Sequence, residues 1–121
     1  LATFTAKAMG GDVEVIWEAN GYPPVVNNEE LTTKMAPTLA RVAGMENTKL
    51  IERGMGGEDF SYFAQAVPGL FFRVGITGNG QDPQEAPGNH SDFFLVDESG
   101  LIVGLRAMLQ LVADYSESDI V

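Results

Sequence analysis

His90 is the side chain best suited to chemistry in this sequence, because it is the single histidine among 121 residues and no cysteine accompanies it. Imidazole is the commonest metal-ligating side chain and titrates near neutral pH. The preceding residues, 77–89, are rich in glycine and proline and nearly free of apolar side chains. Loops of about this length are typically functional or mobile. The pattern predicts an accessible imidazole, although an ordinary surface histidine has the same pattern.

Carboxylates are the other side chains that could share a metal ion with His90. A catalytic zinc ion needs about three protein ligands. The candidates are Glu58, Asp59 and Asp92, and the sequence has neither a second histidine nor a His-Glu-x-x-His pattern. We therefore expect no complete zinc site from this chain alone.

A glycine turn at residues 54–57 is the second candidate for chemistry. Glycines let the backbone bend sharply and approach a neighbour closely. Glu58 and Asp59 follow at the predicted start of a helix. A strand, a glycine turn and a helix start mark the edge of an α/β sheet where ligands bind. No Gly-Lys-Ser/Thr follows, and acids repel phosphate, so this is not a phosphate loop. A plain connection between elements would explain the same residues.

Three segments have the pattern of β-strands. Residues 12–18 largely alternate apolar and acidic side chains, as in a strand with one wet face. Residues 48–53 lead directly into the glycine turn. Residues 70–76 are almost continuously apolar, as in a strand covered on both faces, and Arg73 among them requires an acid or a sheet edge.

Helical spacing of apolar residues predicts four helices around these strands. They cover residues 1–9 up to Gly10-Gly11, a helix capped by Asn27 and closed by Gly44, a helix from about Glu58 to Pro68, and a last helix capped by Asp97 that frays over 116–121. The stripe predicted to be buried on the last helix is Leu101, Leu105, Met108, Val112 and Tyr115.

Charge and composition limit the partners of this chain. A net charge of −10 makes phosphate backbones and anionic membranes poor partners, so we expect neither nucleic acid nor membrane. The absence of cysteine is compatible with the cytosol, and we expect a cytoplasmic protein. The residues from Leu1 onward have the character of a mid-domain segment, so we expect a piece of a longer protein.

Four segments together resemble a known enzyme family. They are GYPPVVNN at 21–28, MGGEDFSYF at 55–63, VPGLFFRVG at 67–75 and NHSDFFLVDE at 89–98. In this order they resemble the C-terminal part of metal-dependent amidohydrolases such as hippurate hydrolase, aminoacylase and indole-acetyl-amino-acid hydrolase, within the zinc aminoacylase/carboxypeptidase superfamily. The resemblance covers about residues 1–115.

The resemblance implies an architecture for the chain. The family has a catalytic α/β domain with a central sheet flanked by helices, interrupted by a smaller α+β lid that often mediates dimers. On that template residues 1–22 are the last helix and strand of the lid, and residues 23–121 are the C-terminal part of the catalytic domain. The Pro23-Pro24 pair, which neither a helix nor a central strand accommodates, lies at this boundary.

The resemblance also implies a reaction. Enzymes of the family hydrolyse the amide bond of N-acyl-amino acids or small peptides, with two divalent metal ions, zinc or manganese, that activate water and polarise the carbonyl. The implied partners are that small substrate, the missing N-terminal part of the same enzyme, and a second copy bound through the lid. We expect this piece to be inactive alone.

Carried over residue by residue, the resemblance assigns one metal ligand to this chain, His90, at the histidine of the family's His-Ser-Pro-like motif. Asp92 stands where the family often has proline, and serine is common at position 57. The general base is expected upstream, so no catalytic residue is assigned here. The residues expected to shape the active site are Gly56, Gly57, Glu58 and Asp59.

Two rival interpretations remain from the sequence. In one, the chain is a non-catalytic binding domain that recruits another polypeptide through its acidic face or an exposed strand edge. In the other, it is a degenerate relative that keeps the fold without the chemistry.

Overall fold

The computed structural model describes residues 1–17, 21–78 and 80–118. Four α-helices lie in these ranges: α1 at Ala2–Ala8, α2 at Glu29–Ala43, α3 at Phe60–Ala66 and α4 at Glu98–Ser118. The predicted helices are therefore confirmed. α4 stays helical over 116–118, where we predict fraying, and the rest of that predicted tail lies outside the described residues. None of the described helices is both long and apolar enough to cross a membrane.

The predicted central sheet is wrong, and with it the α/β fold class, because no β-strand occurs in the described ranges. The lid strand at 12–17 and the segments 48–53 and 70–76 have irregular backbone instead; Glu18, which ends the first predicted strand, lies outside the described residues. A strand requires a neighbouring strand that supplies complementary N–H and C=O groups. An apolar pattern identifies a segment suited to a strand without supplying that neighbour.

Residues 70–76 are anchored to the helical part at both ends. At one end the Asn27 side chain donates from Nδ2 to the Phe71 carbonyl and accepts at Oδ1 from the Phe71 N–H, both at 2.8 Å. At the other end the Asp97 N–H donates to the Ile76 carbonyl at 2.9 Å. A side-chain amide and a helix start therefore make bonds that a neighbouring strand would otherwise make.

α2 begins one residue later than predicted. Asn28, with extended backbone, accepts the Leu31 N–H at Oδ1 and is the N-cap, whereas Asn27 is committed to Phe71. Gly44 ends the helix as predicted, with a φ of 92° that side chains other than hydrogen rarely allow. The two neighbouring asparagines thus serve different elements.

The best-packed region lies between α2 and α4. Met35 of α2 and Ala107 of α4 are buried, and so is Thr38. The Thr38 hydroxyl donates across the junction to the Asp114 carboxylate. Gly100 is also buried, because the backbone of residues 75–76 crosses it closely.

Asp114 collects three donors at this junction. Besides the Thr38 hydroxyl, Gln110 donates from Nε2 at 2.8 Å and Arg41 pairs through Nη2 at 2.5 Å. These hydrogen bonds, that of Thr38 first, lower the pKa of Asp114 to about 2. The carboxylate is therefore ionised at neutral pH and links the two helices.

The apolar stripe predicted to be buried on α4 is exposed instead. Its five residues, from Leu101 to Tyr115 at helical spacing, are between 46% and 64% exposed. α4 packs through its small residues Gly100, Gly104 and Ala107, because small side chains permit a closer approach of backbone to helix. Hydrophobic spacing correctly identified an apolar face of α4. It did not identify the face through which α4 packs against the rest of this chain.

Candidate functional site

The glycine turn connects the irregular segment 48–53 to α3, and two side chains close upon it. A Cβ placed on Gly57 would lie 2.8 Å from Cδ2 of Tyr22. A Cβ placed on Gly54 would lie 3.1 Å from Nη2 of Arg73. Tyr22 and Arg73 can come this close to the backbone only because glycine has no side chain, as the sequence pattern predicts.

Glu58 and Asp59 precede α3 rather than occupying its first turn. Glu58 accepts the Phe60 N–H at Oε1, at 3.2 Å, and its carbonyl accepts the hydroxyl of the fully buried Ser61 at 2.6 Å. Asp59 holds the N-cap position without a capping bond from its side chain, and it is exposed. The backbone at Glu58 is therefore firmly held, and the Asp59 carboxylate is accessible.

His90 lies in a tight turn of the arm that we define as residues 77–96; Asn79 within it lies outside the described residues. The Ser91 N–H donates to the Gly88 carbonyl at 2.9 Å, which places His90 at the third position of that turn. The Phe94 N–H donates in turn to the Ser91 carbonyl at 3.0 Å. The imidazole is exposed, as the sequence pattern predicts.

The base of the arm is fixed by the start of α4. Asp97 caps the helix as predicted, since its Oδ1 accepts the Ser99 N–H at 2.9 Å. Hydrogen bonds from the Ser99 hydroxyl and then from its N–H lower the pKa of Asp97. The same residue donates its own N–H to Ile76, so both ends of the arm meet at one point.

The potential metal ligands in the described part of the chain do not assemble into a metal centre. Across residues 1–17, 21–78 and 80–118, no three histidine, aspartate or glutamate side chains gather as a metal ion requires. His90, Glu58 and Asp59 are thus not brought into one group. By donor chemistry, the described residues supply an exposed imidazole and separate carboxylates, which do not fit a complete centre by themselves.

Tyr22 and its aromatic neighbour are the site residues that sequence reasoning missed. The ring of Tyr22 meets that of Tyr62 edge to face, with centroids 6.1 Å apart. The Tyr62 hydroxyl donates to the Gly21 carbonyl at 3.2 Å. The segment 21–28 was among the motifs that carry the resemblance, but sequence alone does not reveal that it reaches the glycine turn.

Comparison with known proteins adds a family to this geometry. Residues 4–114 match the model of peptidase family M20/M25/M40. The chain is 36% identical over 107 residues to thermostable carboxypeptidase 2 of Saccharolobus solfataricus, covering 88% of this chain and 26% of the relative. It is 33% identical over 94 residues to IAA-amino acid hydrolase ILR1-like 4 of Arabidopsis thaliana, covering 78% and 21%.

A third relative carries a different name. A Rhodococcus jostii protein with the provisional name glutamate–cysteine ligase 2-3 is 32% identical over 91 residues, covering 75% of this chain and 11% of the relative. The chain thus spans about a quarter or less of the curated relatives it matches. No solved structure matches it. The match over residues 4–114 confirms the resemblance: this chain belongs to peptidase family M20/M25/M40, a family of hydrolases that are generally metal-dependent.

Proposed function

We propose that this chain is the C-terminal part of a metal-dependent hydrolase that cleaves the amide bond of N-acyl-amino acids or small peptides. Two matched relatives are named as a hydrolase of an amino-acid conjugate and as a carboxypeptidase, which supports a substrate with an amide bond beside an amino acid. Because the chain spans about a quarter of these relatives, the general base and the remaining metal ligands would come from the other part of the enzyme.

The observation that carries the proposal is the exposed imidazole of His90, held in a turn on an arm whose two ends meet at Asp97. An accessible imidazole without co-ligands among the described residues is suited to complete a centre built elsewhere. With two zinc or manganese ions bound, that centre would activate water and polarise the scissile carbonyl. Within this chain, His90 would supply one ligand and the residues from Gly56 to Asp59 would shape the site.

The exposed stripe of α4 supports a further polypeptide as the partner of this chain. Contiguous exposed apolar surface is characteristic of interaction sites, including those that contact another polypeptide. Its residues are at least 46% exposed, although their spacing is that of a core face. In this proposal the missing N-terminal part of the same enzyme covers the stripe.

Residues 1–22 would be the end of a lid that also joins two copies of the enzyme. Among residues 1–17 only Ala6 is even half-buried, and α1 contains no buried residue. The exposure of residues 1–17 supports their assignment to a separate unit, whereas Gly21 and Tyr22 at the proposed boundary already contact Tyr62 of α3. The exposed side chains of Phe4 and Trp17 would be available to a lid or a second copy.

The test is His90→Ala in the intact enzyme, meaning this chain joined to the rest of the family domain. Even outer-shell partners of a metal cost about 10- to 100-fold when removed, so loss of a ligand should lower turnover of an N-acyl-amino acid by at least about 100-fold. Bound zinc and manganese, measured by elemental analysis, should fall in parallel.

Asn89→Ala is the matched control, because it changes the neighbouring residue and leaves the imidazole. It should keep both metal content and turnover near those of the unmodified enzyme. If His90→Ala keeps its metal and its rate, His90 is not a ligand and the proposal fails. The chain expressed alone should not hydrolyse the substrate.

A non-catalytic interaction domain is the second candidate, and the same exposed stripe of α4 favours it. Solution mass of the whole protein with and without added zinc separates the two. A specific assembly that forms without metal affinity or hydrolysis would support the interaction domain. Correct folding with neither assembly nor metal binding would instead indicate a degenerate relative.

A further inference from the structure

The ring of Tyr22 occupies the space that a side chain at position 57 would need. A Cβ on Gly57 would lie 2.8 Å from Cδ2, 3.6 Å from Cε2 and 3.7 Å from Cγ of that ring. Carbon atoms in favourable contact are about 3.5–4.0 Å apart. Residue 57 and the ring of Tyr22 therefore cannot both keep these positions once residue 57 carries a side chain.

The ring is held on one side and open on the other. Its edge-to-face contact with Tyr62 places it beside α3, and the Tyr62 hydroxyl is bonded to the Gly21 carbonyl next to Tyr22 in the chain. Tyr22 is nevertheless 56% exposed. The ring of Tyr22 thus has a defined position, and there is also solvent space into which a steric clash could displace it.

The residue that Tyr22 touches is directly linked to the candidate site residues. Gly57 precedes Glu58, whose side chain and carbonyl are both bonded to the first residues of α3. Because the backbone is fixed on the α3 side of Glu58, the ring limits the position of the turn from the other side. Tyr22 and α3 together hold Gly57 and Glu58 between them.

We propose that Tyr22 is a positioning residue for the glycine turn and that Tyr22 and residue 57 form a coupled pair that tunes substrate specificity. This inference rests on the proposed function, which places the turn beside the active site. Tyr22 touches no reacting atom; it acts through the backbone of Gly57. A serine at position 57 displaces the ring outward and changes the space beside the turn.

The test is a double-mutant cycle in the intact metal-loaded enzyme with Tyr22→Ala, Gly57→Ser and the combined variant. KM and kcat are measured for two N-acyl-amino acids that differ in the size of the amino-acid side chain. Each single variant should change the ratio of the two kcat/KM values by up to about tenfold, mainly through KM, which is within the range of couplings between contacting residues. The combined variant should match Tyr22→Ala, because serine then meets no ring.

Tyr22→Phe separates positioning from general damage. The ring remains in this variant, so the ratio of the two kcat/KM values should equal that of the unmodified enzyme. Met45→Ala is the control, since it removes a large, exposed side chain from the turn that follows α2 and lies outside both the glycine turn and the α4 stripe. It should leave the ratio unchanged. Multiplicative effects of the two single changes, or an unchanged ratio in Tyr22→Ala, would overturn the coupled pair.

Glycine-labelled NMR spectra distinguish failure of this inference from failure of the proposed function. The distances place the ring edge, at Cδ2, toward Gly57. The Gly57 α-hydrogen that points toward this edge should be shifted downfield, and it should lose that shift in Tyr22→Ala but keep it in Tyr22→Phe. A ring shift without hydrolysis or metal binding by the unmodified protein refutes the proposed function and the specificity role that rests on it, while the contact stands. Absence of the ring shift in an active enzyme refutes the positioning role alone.

Discussion

The α2–α4 junction and the candidate site differ in how fully this chain completes them. At the junction the Asp114 carboxylate has three donors, and no buried side-chain polar atom of the described residues lacks a partner. At the site, His90 and Asp59 are exposed and no metal-binding group forms among the described residues. The polar groups of the junction find their hydrogen-bond partners within the chain. The groups at the site would need additional metal ligands from elsewhere.

This contrast separates stability from activity along one chain. Substitutions at the α2–α4 junction, or in the segments bonded to it, should change the free energy of local opening of α2 and α4. The kinetic constants of the folded enzyme should stay the same. Changes at His90 or Tyr22 should do the reverse. Hydrogen exchange of the helix amides reports local opening free energies, so it can be compared with kcat/KM in the same variants.

The largest effect on stability is expected where residues 75–76 cross α4. A Cβ on Gly100 would lie 2.7 Å from the Gly75 carbonyl oxygen, so Gly100→Ala forces the backbone apart. We expect it to destabilise α4 by about 2–3 kcal/mol, as overpacking does. Hydrogen exchange of the α4 amides in the intact enzyme measures this loss.

Gly104→Ala is the matched control on the same helix. Its Cβ would meet the Val74 side chain at 3.4 Å, close to ordinary contact, and alanine favours the helix by about 0.5–1 kcal/mol over glycine. It should therefore slow exchange. Equal effects of the two substitutions would show that the crossing is not as close as described.

A middle-sized effect is expected from the two neighbouring asparagines. Asn27 must both donate and accept to hold Phe71, whereas Asn28 only accepts as the cap of α2. Asn27→Asp loses the donor and should cost about 1–2 kcal/mol. Asn28→Asp should change stability little, because aspartate and asparagine cap helices about equally well. Similar losses in both would contradict these assignments.

The smallest effect concerns Asp114 and depends on pH. Its pKa is lowered to about 2 in the folded chain, from an ordinary value of 3.8. A lowered pKa means that the stabilisation is complete above about pH 4 and is lost as the pH falls from 4 toward 2. Asp114→Asn should lack this dependence.

Exchange of the α2 and α4 amides between pH 6 and pH 3 measures it, after correction for the intrinsic exchange rate. The difference between the unmodified enzyme and Asp114→Asn should shrink toward the acid end. A difference that stays constant down to pH 3, or one that grows with acid, would contradict the lowered pKa of Asp114.

The sequence predicted the parts of the fold that depend on neighbours in the chain. Gly44 and Asp97 delimit helices through local backbone chemistry, and both predictions are confirmed. The predicted strand at 70–76 failed because pairing needs a second segment, and here Asn27 and Asp97 take its bonds. Apolar spacing alone could not show that α4 packs through Gly100 and its other small residues.

The site shows the same division. An accessible imidazole at His90 followed from residue type and loop composition, and its role as a ligand stays a prediction. The contact between Tyr22 and Gly57 joins residues far apart in the chain, and no local pattern encodes such a distance. The family was predicted from four motifs in order, and the match over residues 4–114 confirms it, although the chain covers only part of the relatives' length.

The joined ends of the arm have a consequence for how this family member can vary. Lengthening a flexible loop costs only about 0.6 kcal/mol for each doubling, so insertions between 80 and 88 should leave α4 undisturbed. Residues 91–96, by contrast, are the short tether between His90 and the helix cap at Asp97. Insertions are thus tolerated before His90 and restricted after it. The distance along the chain from the imidazole to the start of α4 therefore stays constant, whatever the length of the preceding loop.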